Sequence, residues 1–170
     1  MVIKKYDYVG ITGTSGGGKS TLIDIILGLL IPDEGEIIID KKKIEYLNKT
    51  NWLNKIGYLT QKNNLLDESI LTNITLEFNK DNIDNELVDL VLSKTGLKDL
   101  IDSLPEGVDT QIGENGFAMS GGERQRIGIA KLLYARKEIL IFDESTSNLD
   151  SKNKDNFISI INQLSKEKTI

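Results

Sequence analysis

The sequence has no cysteine and no histidine in its 170 residues. Without thiols it has no disulfide framework and no thiolate metal site, and cysteine usage assigns it to no redox compartment. No apolar run approaches the ~20 residues that a membrane-spanning helix needs. The first residues do not read as a secretory signal, so a soluble chain is expected. Positive charge is also scarce as a patch. Only Lys41-Lys42-Lys43 forms a basic run, read as a solvated turn, and the formal net charge is −5. No nucleic-acid partner is expected from that distribution. What is present suffices for a globular fold: 39% of the residues are apolar, and the length suits one domain able to bury a core.

The most informative stretch is Gly13-Thr14-Ser15-Gly16-Gly17-Gly18-Lys19-Ser20-Thr21. It lies between two apolar runs, residues 8–11 and 22–27, an order that reads strand, glycine-rich loop, helix. Its spacing fits the phosphate-binding loop G-x-x-x-x-G-K-[ST]. Glycines let the backbone turn so that successive N–H groups converge on a polyphosphate, and the positive end of the following helix faces the same anion. Lys19 is placed to reach the β- and γ-phosphates, and the Ser20 hydroxyl to bind Mg²⁺. The competing reading is an ordinary glycine-rich turn.

The remaining text alternates between strand-like and helix-like segments. The spacing predicts a helix over residues 20–30, apolar on almost every side. A turn at Pro32-Asp33-Glu34-Gly35 follows, then a short strand over 36–40, Trp52-Leu53 as a buried anchor, and a strand over 56–59. Residues 63–78 read as loop. From Asp84 the spacing is helical, with Leu87, Val88, Val91 and Leu92 on one face and Gly96 as the stop. A second short helix carries Leu97, Leu100, Ile101 and Leu104 and is stopped by Pro105. Ser120-Gly121-Gly122 opens a third. Ile139-Leu140-Ile141-Phe142 is a continuous apolar run ending in Asp143-Glu144, as expected of a central parallel strand whose carboxyl end faces a ligand. Asp150 is placed to cap a last helix burying Phe157, Ile158, Ile161 and Leu164. Residues 168–170 read as the start of a strand.

Four further motifs follow the loop in order. Ile139-Leu140-Ile141-Phe142-Asp143-Glu144 resembles a Walker B strand, with Asp143 holding Mg²⁺ and Glu144 polarising the attacking water as general base; alone, it is equally a strand ending in surface acids. Met119-Ser120-Gly121-Gly122-Glu123 resembles the signature motif of the ATP-binding cassette (ABC) family, although Ser120 alone is also a plain helix cap. Gln61 matches the family's Q-loop, and Ser147-Asn148-Leu149-Asp150 its D-loop. Residues 65–74 and 104–116 look like exporter text, the second ending in the X-loop Thr110-Gln111-Ile112-Gly113-Glu114-Asn115-Gly116.

The chain is thus identified as resembling the nucleotide-binding domain of an ABC exporter along nearly its whole length. The resemblance implies an α/β fold: a P-loop core with a parallel sheet and an inserted helical subdomain. Residues 1–61 would be the first part of the core, 62–135 the helical subdomain with X-loop and signature helix, and 136–170 the second part. It implies an ATPase using ATP and Mg²⁺, with catalytic residues Glu144, Lys19 and Gln61. Nucleotide would be bound by residues 13–21 with Gln61 and Asp143, and the metal by Ser20, Gln61 and Asp143. Ser120, Gly121, Gly122 and Glu123 would close over the ATP of a second copy, with Asp150 in the D-loop between them. Partners would be that second copy, in a homodimer, and a transmembrane domain reached through Q-loop and X-loop at the cytoplasmic face of the membrane. An importer ATPase subunit, a soluble ABC ATPase of DNA repair or translation, and a module that binds nucleotide without efficient hydrolysis are the alternatives.

Some residues depart from the family text. Met119 replaces leucine, a nearly volume-neutral change; Glu123 is a familiar variant, and Ser145 replaces alanine or proline. No switch histidine is present, and no aromatic stands where the family stacks adenine. Tyr6 and Tyr8 lie too near the loop for that role and are expected in a strand. The sequence is therefore expected to be a domain cut at both ends.

Overall fold

The computed structural model describes residues 1–44, 49–60, 64–113, 116–143 and 151–170. Helix α1 (Lys19–Ile26) follows the glycine-rich loop. Strand β1 (Ile38–Ile39) turns back on β2 (Lys42–Lys43), and α2 (Lys49–Lys55) leads into β3 (Ile56–Leu59). Strand β4 (Glu68–Ser69) runs directly into α3 (Ile70–Thr75), followed by α4 (Asn85–Lys94), α5 (Lys98–Ser103) and β5 (Gln111–Ile112). Helix α6 (Gly121–Tyr134), strand β6 (Ile139–Phe142) and α7 (Ser151–Leu164) complete the order.

The centre is the parallel pair β3 and β6, in register from Ile56 opposite Ile139 to Leu59 opposite Phe142. On the other side of β6, Leu140 N–H donates to Thr169 O (2.8 Å) and Thr169 N–H to Glu138 O (3.2 Å). Residue Ile170 in turn accepts from Val9 N–H (2.8 Å) and donates to Asp7 O (2.9 Å). Four extended segments thus lie side by side, and the segment feeding the glycine-rich loop is the outermost. β6 therefore has neighbours on both edges, as its unbroken apolar text predicts.

The two-residue period of the strands distributes the core over both faces of this sheet. Ile56, Tyr58, Ile139 and Ile141 face α1 and pack with Ile23, Leu27 and Trp52. Leu59, Leu140 and Phe142 face the other way, into the larger cluster built on α3, α4, α6 and α7. Leu140 and Ile127 are wholly buried there; truncating either to alanine would cost about 2–5 kcal/mol.

Several expectations need correction. Helix α1 ends at Ile26, because Leu27 closes the last turn and Gly28 follows at φ 73°. It is not enclosed: only Ile23 is buried within it, since the sheet covers one face, and Leu29, Leu30 and Ile31 are exposed. The 36–40 strand is two residues long and forms a hairpin whose turn residues, Asp40 and Lys41, both have positive φ (48° and 69°). That is the primed turn suited to strand twist, and Lys41, Lys42 and Lys43 are exposed on it as expected. Trp52 is a half-buried anchor, donating its indole N–H to Ile26 O (2.9 Å), but Leu53 is exposed and both belong to α2. Residues 63–78 are not all loop, since α3 buries Ile70, Leu71, Asn73, Ile74 and Thr75. Ile158 is exposed, and Ile160 takes its place beside Phe157, Ile161 and Leu164. Tyr6 is an exposed turn residue at φ 70° rather than a strand residue, and Tyr8 is exposed. Helices α4 and α5 form as expected, with Asp84 capping α4 through Leu87 N–H (3.0 Å).

Candidate nucleotide site

The loop at residues 13–18 is exposed and held by its own backbone. Gly17 N–H donates to Thr14 O (3.1 Å), and Gly16 and Gly18 take φ of 75° and 82°. These left-handed conformations favour glycine and turn the loop sharply into α1. Gly18 stands at the N-cap of α1, and no side chain caps that end. The first-turn N–H groups of Lys19, Ser20 and Thr21 therefore point out of the helix toward the loop, with the positive end of the helix dipole behind them. The Lys19 ammonium donates to Gly13 O (3.1 Å) and Thr14 O (2.9 Å), which holds it over the loop's concave side. Gly13, Thr14, Ser15 and Gly16 supply the remaining turn.

Across the sheet edge, Asp143 follows β6 directly. Its N–H continues the ladder to Leu59 O (3.0 Å), and its carboxylate Oδ2 accepts from the Tyr58 hydroxyl (3.0 Å). Register explains the meeting. Tyr58 lies opposite Ile141, and Asp143 is two residues further along, on the same face. Burial and the acceptor carboxylate push the Tyr58 hydroxyl up to about 12, with Asp24 of α1 adding to the effect, so it remains a donor at neutral pH. Sequence reading missed Tyr58, whose role appears only once two distant strands are aligned. Ser20 and Asp143 offer oxygen donors alone, the set that suits Mg²⁺, which takes few protein ligands and completes its shell with water and phosphate. Among the described residues no group of three His, Cys, Asp or Glu side chains is placed to hold a metal ion.

The signature residues sit on the opposite face of the sheet from α1. Ser120 is the N-cap of α6 and forms a capping box: its hydroxyl accepts from Glu123 N–H (3.3 Å), and Glu123 Oε2 accepts from Ser120 N–H (2.8 Å). Such a cap contributes about 1 kcal/mol. Gly121 and Gly122 form the first turn, and Gly122 is buried against Asn153 of α7. Helices α1 and α6 thus pack into separate apolar clusters on opposite sides of β3 and β6. Gln61, Glu144 and Asp150 lie outside the described residues, as do Glu114 and Asn115 of the X-loop and the D-loop residues Ser147, Asn148 and Leu149.

A glycine-rich loop between the outermost extended segment beside a parallel strand pair and a helix defines a P-loop nucleotide-binding fold of the α/β class. Residues 1–147 match the model of the ABC transporter family, and the chain belongs to that family. It is 39% identical over 171 residues to the alpha-hemolysin translocation ATP-binding protein HlyB of Escherichia coli O157:H7, covering 100% of this chain and 24% of that protein. It is 43% identical over 151 residues to the leukotoxin translocation ATP-binding protein LktB of Mannheimia glucosida, covering 88% of this chain and 21% of that one. A solved structure of a bacterial Atm1-family ABC exporter with ATP bound superposes with a TM-score of 0.77 at 33% identity, over 92% of this chain and 27% of the exporter. The chain spans about a quarter of the length of such relatives. No helix among the described residues is long and apolar enough to cross a membrane.

Proposed function

We propose that the chain is the ATP-binding and ATP-hydrolysing region of an ABC exporter, with residues 1–61 and 136–170 as core and 62–135 as helical subdomain. The observation that carries the reading is the glycine-rich loop leading into an uncapped helix start, with Lys19 held over it. The similarity to HlyB and LktB, both named translocation ATP-binding proteins, supports ATP as the nucleotide and export as the purpose.

In this reading the N–H groups of residues 13–21 and the Lys19 ammonium bind the β- and γ-phosphates, Lys19 exchanging two carbonyl partners for phosphate oxygens. Ser20, Asp143 and Gln61 would hold Mg²⁺, which would offset the charge of the phosphates. Glu144 accepts a proton from the attacking water as the bond to the γ-phosphorus forms and ADP leaves. Positioning and charge stabilisation account for most of the rate.

Placement of the Ser120 turn on the sheet face opposite α1 supports a two-copy site. Ser120, Gly121, Gly122 and Glu123 of one copy close over the ATP held by the other, with Asp150 between them. Gln61 and the X-loop then report nucleotide state to a transmembrane domain at the cytoplasmic membrane face.

The test is Glu144→Gln. It abolishes phosphate release from ATP while leaving Mg-ATP-dependent pairing intact, read by a phosphate assay and by sedimentation. Unchanged phosphate release would refute the assignment.

A further inference from the structure

The geometry points to Tyr58 as the residue that positions the Asp143 carboxylate for Mg²⁺, an inference resting on the nucleotide-site reading above. Tyr58 is anchored on both sides. Its ring packs among Ile23, Leu27, Ile56, Trp52, Ile139 and Ile141, beneath α1. Its hydroxyl reaches out of that cluster to donate to Asp143 Oδ2 at 3.0 Å. Asp143 follows the last residue of β6, and its N–H bond to Leu59 O continues the ladder there. Its short side chain, at a strand end, has two rotatable bonds. A donor fixed by a packed ring restrains the orientation of that carboxylate. Phenylalanine would fill the same apolar space without the donor, so packing alone does not account for tyrosine.

Tyr58 also joins the two halves of the site. Its ring lies under the helix that begins at Lys19 and Ser20, and its hydroxyl is on Asp143. One side chain therefore spans two of the segments that supply the metal's protein oxygens. We assign it no contact with nucleotide; it acts through Asp143.

The experiment is a titration of Mg²⁺ against binding of a fluorescent ATP analogue to the chain and to Tyr58→Phe, with the same nucleotide titration in EDTA as an internal reference. Removing a group that orients a metal ligand weakens the metal by about tenfold. The expected result is a rise of that order in the Mg²⁺ concentration for half-maximal binding, with affinity in EDTA unchanged. In an Asp143→Asn background, Tyr58→Phe should add nothing further, because its effect travels through the carboxylate. Unchanged Mg²⁺ dependence in Tyr58→Phe overturns the inference. Equal loss in EDTA and in Mg²⁺ also overturns it, since the hydroxyl would then serve packing alone. If the unsubstituted chain binds no nucleotide under either condition, the site reading itself fails and the inference falls with it; binding by the unsubstituted chain distinguishes the two failures.

Discussion

Gly122 lies so close to Asn153 that a β-carbon added to it would stand 2.6 Å from the Asn153 Cγ and 3.1 Å from its Cβ. The first turn of α6 packs directly on the Asn153 side chain in the first turn of α7, and the glycine is what permits it. The Ser120 end of α6 is thereby held against the start of α7.

Gly122→Ala should force the Asn153 side chain aside and destabilise the chain by about 1–3 kcal/mol, as overpacking does. A urea melt measures it. Asn153→Ala in the same chain should restore most of the loss, because the clash is pairwise. A double substitution no more stable than Gly122→Ala alone would contradict the contact.

Lys19→Ala should reduce affinity for ATP by about 10- to 100-fold, the effect of removing a charged hydrogen-bond donor. The melting temperature should hardly change, since the described partners of Lys19 are Gly13 and Thr14 of an exposed loop. Nucleotide titration and thermal melting together make the comparison.

Asn73 is 2% exposed yet polar. Its side chain accepts from Leu66 N–H (2.7 Å) and donates toward the carbonyls of Leu66, Glu68 and Ser69 (3.1, 3.3 and 2.9 Å). Asn73→Ala strands those backbone groups and should cost about 1–3 kcal/mol. Amide exchange at Leu66 should rise in the variant beyond the change seen at Ile127.

The Lys94 ammonium sits 2.6 Å from Glu167 and holds that carboxyl below the ordinary glutamate range. A carboxyl depressed in the folded state adds stability above its unfolded titration point and loses it as pH falls through the folded one. Both groups are substantially exposed, so the contribution is below about 1 kcal/mol. Lys94→Met should raise the Glu167 midpoint toward the ordinary value, read by carboxyl carbon NMR.

What the sequence made legible was whatever is encoded locally. The loop at 13–18 is written in glycines that its turns require, α4 in a cap and a helical spacing, and α6 in Ser120 with Glu123 three residues on. Helix α3 escaped because it has six residues and buries nearly all of them; with no exposed face there is no period to detect. Asn73 misled in the same place, since a polar residue reads as surface until its backbone partners are known. The length of α1 was overread because apolar text continues through Leu29, Leu30 and Ile31 after the helix has stopped at Gly28. Tyr58 on Asp143 was out of reach altogether, because it depends on strand register across 85 residues of chain.

Strands β4 and β5 pair Glu68 with Ile112 and Ser69 with Gln111, and Ile70 N–H adds a bond to Thr110 O (3.0 Å). The segments at 68–70 and 110–112 are therefore two prongs of one backbone fork. Displacing either one loads the amide bonds that join it to the other.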